Sequence, residues 1–261
     1  MNTIITKKAI DESVKLLPQV YEDIAQPAFK EVGTVVGKSV KSLLAPVRGL
    51  LWGWEKIEEF IVNDVEKKLE KISLENRKSP DPEIAVPAMQ ALTYTADNKY
   101  LREMFVNLLA NSMDLSKNKL VHPSFTEIIK QMSSLDAKVL ERISKNKGNI
   151  RATNPEIRIV GSNQVFIDAT PNWFLGWTFE GFDIFDISAS LVRLSKYGLI
   201  ELMFDRTAGK DGYEQFTANH LILDILDKYQ TENLDRELEI YETKSVFYIN
   251  DYGKQFVKVC L

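Results

Sequence analysis

The chain has 261 residues, 44% of them hydrophobic, and a formal net charge of −4. That is enough apolar material for one sizeable core or two modest ones. A single cysteine, Cys260, and two histidines, His122 and His220, exclude an intramolecular disulfide and Cys/His zinc motifs. They also leave little material for a Ser-His or Cys-His nucleophile pair. With one cysteine and no leader-like pattern of charged, apolar and small residues, the expectation is a cytoplasmic protein.

Three regions are predicted, covering 1–79, 83–148 and 150–261. The first is helical. Ile10, Val14, Leu17, Tyr21 and Ile24 recur at helical spacing, as do Ile57, Ile61, Val65, Leu69 and Ile72. Between these runs lies the most distinctive segment. Small residues recur at every fourth position but one, at Gly33, Gly37, Ala45, Gly49 and Gly53, with Lys41 the exception. That spacing keeps them on one slowly drifting line of a helix. Glycine costs about 1 kcal/mol per residue in a helix interior relative to alanine. The line therefore implies close packing, and Gly33, Gly37, Gly49 and Gly53 are assigned to helix packing.

The same segment, 32–54, is amphipathic. Val36, Val40, Leu43, Leu44, Val47, Leu50 and Leu51 belong to an apolar arc, opposite Lys38, Lys41 and Arg48. No acidic residue falls between Glu31 and Glu55, and Trp52 and Trp54 stand near one end. Such a helix suits three settings: packing on the protein's own core, lying in a membrane interface, or self-association into a homo-oligomer. Crossing a bilayer is disfavoured, because that needs about 20 apolar residues with few charges. In the interfacial setting, Lys38, Lys41, Arg48, Trp52 and Trp54 are the contact residues.

Ser79-Pro-Asp-Pro82 breaks the helical pattern and reads as a linker. The central region then carries helical runs over Ala88–Tyr94 and Leu101–Met113. Ser124 with Glu127 forms a capping-box pattern, and Ser133 and Ser134 are further N-cap candidates ahead of Val139, Leu140 and Ile143. Lys147-Gly148 closes that helix.

From residue 150 the character changes. Ile157–Val160 and Val165–Ile167 read as short strands about a turn. An aromatic loop follows, with Trp173, Phe174, Trp177, Phe179, Phe182 and Phe185. Asp186 is read as the cap of a helix bearing Leu191, Val192 and Leu194, closed by Tyr197-Gly198. Then come a strand over Leu199–Phe204, a turn at Gly209–Gly212, a helix over 218–229, a strand over Lys244–Ile249 and a last helix from Asp251. Helix, Gly-Leu-Ile-Glu step, strand, returning strand and Tyr-Gly-Lys-Gln-Phe is the order of a winged helix.

In such a unit Arg193 and Lys196 would be the nucleic-acid contacts. Residues 181–261, however, hold 9 Lys and Arg against 14 Asp and Glu, a net −5. A DNA-reading face needs cations to neutralise phosphates. Protein contact or dimerisation is therefore the expectation for this unit, and nucleic acid is the alternative.

Ala88–Asn98, Leu101–Ala110 and Val121–Lys130 together resemble the core of the abortive infection alpha (Abi-alpha) family. Leu50-Leu-Trp-Gly-Trp54 and Tyr252-Gly-Lys-Gln-Phe256, with the residues to Cys260, fit the same family. The resemblance implies a bacterial cytoplasmic protein that defends against bacteriophage by blocking growth of infected cells. It brings no catalytic residue. Asp97, Glu103 and Asp114 fall around one predicted helix, which keeps a metal-dependent nuclease as a further alternative. His122 and Ser124 form a weaker candidate pair.

The expected architecture is mainly α, with N-terminal and central helical regions followed by a C-terminal winged-helix-like α+β unit. The expected function is a non-enzymatic sensor or effector of phage defence, without cofactor or metal. A phage or host protein would be its trigger. An anionic surface, the inner face of the cell membrane, would be met by 32–54.

Overall fold

A computed structural model describes Leu44, residues 58–209 and residues 211–261. The contacts divide into two units. The first reaches to Gln131 and includes Lys258–Leu261, and the second is Met132–Val257.

The first unit is built from α1 (Glu58–Leu69), α2 (Pro82–Thr95), α3 (Lys99–Ser112) and α4 (Ser124–Gln131). Proline at the first position of α2 follows an extended Asp81, where its missing N–H leaves no helical bond unmade. Asn98 caps α3 by accepting the Leu101 N–H at 3.3 Å. Helix α3 is the centre of the unit and packs on α1, α2 and α4. Leu101, Phe105, Leu108 and Leu109 of α3 are buried, as are Ile61, Val65 and Leu69 of α1. Residues 76–78, just ahead of the expected linker, run beside 113–115. Leu115 N–H donates to Asn76 O and Lys78 N–H to Met113 O, both at 2.9 Å.

The second unit holds α5 (Ser134–Ser144), β1 (Ile150–Ile159), β2 (Val165–Phe166), α6 (Ile184–Lys196) and β3 (Ile200–Met203). After these come α7 (Glu214–Thr217), α8 (His220–Glu232), β4 (Leu238–Ile249) and α9 (Asp251–Cys260), whose last residues from Lys258 belong to the first unit. The sheet runs β2-β1-β4-β3 and every neighbour pair is antiparallel. The register puts Ile150 opposite Phe247, Ile159 opposite Leu238 and Ile200 opposite Ile249. One core cluster, with Phe174, Tyr213, Phe216, Ile222 and Val246, joins the aromatic loop, α7 and α8 to β4. Among the described residues the protein is mainly α with a C-terminal α+β unit.

Several local boundaries differ from the expectation. Strand β1 starts at Ile150 because it pairs with β4 throughout, and Pro155 stands opposite Glu242 in that ladder. Cross-strand pairing overrides the turn signal of Asn154-Pro155. Strand β4 starts at Leu238 for the same reason. The N-cap of α6 is Asp183, and Asp186 is its reciprocal partner in a capping box. The connection from β3 to β4 carries α8, where a helix over 218–229 was expected, and the short α7 ahead of it.

The step from α6 to β3 is held from the start of α9. Gly198 has φ +74°, a left-handed conformation that favours glycine. Asn250 donates through Nδ2 to Gly198 O at 2.9 Å, and its Oδ1 accepts the Gly253 N–H at 2.8 Å. A Cβ at Gly253 would stand 1.9 Å from Leu199 O, so the glycine of the Tyr-Gly-Lys phrase is a close-approach residue.

Candidate functional site

Helix α6 carries Arg193 and Lys196, the two residues expected as nucleic-acid contacts, so its two faces define the candidate site. The inner face meets α5. There Asp136, fully buried, is the third residue of α5 and closes a capping box with Ser133. Its carboxylate also accepts from Ser190 Oγ at 2.7 Å, from Arg193 Nε at 3.0 and 3.1 Å, and from Arg193 Nη2 at 2.8 Å.

Burial pushes the Asp136 carboxyl up. The donors from Arg193, Ser133 and Ser190 outweigh it and hold the group below the usual carboxylate range. The same hydrogen bond raises the Arg193 guanidinium above its ordinary value, against burial. Tyr197 beside the pair is raised, first by burial and then by the charge of Asp136. Arg193, read as a nucleic-acid contact, is thus bonded to a buried carboxylate, with its own side chain 39% exposed.

The outer face is apolar. Phe185 is 41% exposed and Val192 is 48% exposed, with exposed Ala189 between them and exposed Lys196 beyond. Positions 185, 189, 192 and 196 follow helical spacing and form one stripe. Ile187, Leu191 and Leu194 on the opposite side are buried. Of the two predicted nucleic-acid residues, the structure turns Arg193 toward Asp136 and leaves Lys196 exposed at the helix end.

The aromatic loop is largely engaged within this unit. Phe174 is core. Arg142, in the last turn of α5, lies 4.4 Å from the Trp177 ring centre and 5.7 Å from that of Phe179. Lys138, one turn earlier, lies 5.5 Å from the Phe182 ring centre. These cation–aromatic contacts tie the loop to α5 and leave Phe185 as the most exposed of its six aromatics.

The remaining sequence candidates are dispersed. Gly33, Gly37, Gly49, Gly53, Lys38, Lys41, Arg48, Trp52 and Trp54 lie outside the described residues. Asp97 is exposed ahead of α3, and Glu103 pairs with Lys68 at 3.0 Å. Asp114 is buried and accepts from the N–H and Oγ of Ser116. Among the described residues no three His, Cys, Asp or Glu side chains gather to hold a metal. His122 Nδ1 and Ser124 Oγ are 2.6 Å apart at an exposed position, where α4 begins at Ser124.

Asn107 and Asn111 reach the C-terminal residues of the chain, which belong to the same unit. They sit one turn apart on α3 and donate to Cys260 O at 3.1 Å and Val259 O at 2.7 Å, which closes the carbonyl end of α9. Cys260 is fully buried, and burial pushes its thiol well up. Among the described residues no helix is long and apolar enough to cross a membrane.

Asp136 is the residue that sequence reasoning missed. Its signal is present: it shares the helical spacing of the buried positions Val139, Leu140 and Ile143. A carboxylate in an apolar stripe calls for a buried partner.

The family model described as Abortive infection alpha matches residues 53–260. No curated protein and no solved structure matches the chain.

Proposed function

The chain belongs to the abortive infection alpha family, and from that premise we propose that it is a non-enzymatic sensor and effector of defence against bacteriophage. The C-terminal unit takes up a protein trigger, of phage or host origin, on the outer face of α6. One observation carries this reading: Phe185, Ala189 and Val192 stand outward while Arg193 is turned to Asp136. An apolar stripe whose nearest arginine is already paired with a buried carboxylate suits a protein surface better than a phosphate backbone.

The effector end is segment 32–54. Leu44 lies on its apolar arc, is helical and is fully buried. Release of the arc would let Lys38, Lys41 and Arg48 meet anionic lipid, at about 1 kcal/mol per cation.

The test is protection of a bacterial host against phage. Phe185→Glu combined with Val192→Glu is expected to abolish protection while circular dichroism and Tm stay unchanged. Retained protection would overturn α6 as the sensing face. In parallel, Lys38→Glu, Lys41→Glu and Arg48→Glu together are expected to abolish co-sedimentation with anionic liposomes. Unchanged co-sedimentation would remove the membrane from the mechanism.

A further inference from the structure

A cavity of about 240 Å³ opens between α1 and α3 in the first unit, lined by Asp64, Lys67, Lys68, Lys99, Arg102, Glu103 and Val106. Its lining holds four cations and two carboxylates, in a chain whose net charge is −4. Both carboxylates are matched, because Lys68 pairs with Glu103 at 3.0 Å and Lys67 with Asp64 at 3.5 Å. Lys99 and Arg102 remain. Among the described residues neither has a carboxylate partner, and Arg102 makes one hydrogen bond, from Nη1 to Ala96 O at 3.1 Å. The other guanidinium N–H groups and the Lys99 ammonium are left for a ligand.

The position of these two cations adds a second argument. Both lie in the first turn and a half of α3, whose first turn carries no acidic residue. Helix N-termini favour anions and disfavour cations. An anion bound between Lys99 and Arg102 reverses that mismatch, and it meets a guanidinium suited to bidentate phosphate contact. Val106, buried at the side of the cavity, keeps part of the wall dry. The volume is below the roughly 300–1,000 Å³ of drug-sized ligand sites, so it accommodates a phosphoryl group with little attached.

We propose that the α1–α3 cavity binds a small phosphate-type anion, held by Lys99 and Arg102, either as free phosphate or as an anionic lipid headgroup. This goes beyond the defence reading and does not depend on it. The probes are inorganic phosphate, titrated calorimetrically into the full chain at constant ionic strength, and vesicles of phosphatidylglycerol or phosphatidylcholine in co-sedimentation. Lys99→Gln with Arg102→Gln is expected to weaken binding about tenfold or more. Lys145→Gln, which breaks an exposed pair with Glu141 in the second unit, is expected to leave binding unchanged.

Phosphate binding lost in the double variant supports the site with free phosphate as ligand. Phosphatidylglycerol binding weakened in the double variant, without phosphate binding, supports it with a headgroup as ligand. Lys99→Gln alone repeats the test without touching the Ala96 bond, should the double variant fail to fold. No binding of either probe, or equal binding by wild type and variants, would overturn the site.

Discussion

Two ion pairs each join two helices of this molecule at nearly the same distance, and they are physically unlike. Arg193 Nη2 stands 2.8 Å from Asp136 between α6 and α5, and Lys68 Nζ stands 3.0 Å from Glu103 between α1 and α3. The Asp136 side chain is 0% exposed and the Glu103 side chain 58%. Asp136 also accepts from two serines and a backbone N–H. Glu103 has the one lysine contact. Distance alone therefore does not tell which pair the fold depends on. Burial, and the number of donors aimed at one carboxylate, do.

The largest effect is expected at the buried end. Asp136→Ala removes the α5 capping box and leaves Arg193 and Ser190 without their acceptor. A loss of about 3–5 kcal/mol is expected, read from urea unfolding. If it costs no more than a surface pair, the contrast collapses. The pH dependence follows the same carboxylate. Its folded pKa lies below the unfolded value, so its stabilisation is present above the unfolded pKa near 4 and is lost as pH falls through the lower folded pKa. Wild type should lose stability more steeply than Asp136→Asn on acidification, measured by Tm between pH 7 and pH 3.

A finer cut tests geometry within the pair. Arg193→Lys keeps the charge and removes the planar fork that delivers Nε and Nη2 together. An ammonium on a flexible stem replaces three contacts by one, and a loss of about 1–2 kcal/mol is expected in the same unfolding assay. Full stability in the lysine variant would mean that charge alone suffices.

The same distinction explains what was legible in the sequence. The helical order, the Ser133 cap, the Tyr197-Gly198 stop and the α+β character of the C-terminal region were readable, because each is local. Strand β1 across Pro155 was not, since its strand state comes from pairing with residues nearly a hundred positions on. Arg193 looked available from sequence because its partner lies 57 residues away. The outer stripe of α6 was partly visible: apolar residues at 184, 185, 187, 191, 192 and 194 cover more of the helix than one buried face needs. The cavity beside Lys99 and Arg102 had no sequence signal, because it depends on how α1 lies along α3.

The smallest stability effect belongs to the exposed pair, and there it also bears on the cavity. Glu103→Ala is expected to change unfolding free energy by about 0.5 kcal/mol or less, because solvent and salt screen a pair this exposed. The substitution also removes one of the two carboxylates lining the cavity and releases Lys68 toward it. The lining then carries four cations and a single acid, so phosphate should bind more tightly than to wild type. The gain should shrink as salt is raised, as expected for partly exposed charges. Calorimetric titration of the variant at two ionic strengths checks this. Weaker phosphate binding in Glu103→Ala would mean that the carboxylate positions Lys68 for the anion and does not compete with it.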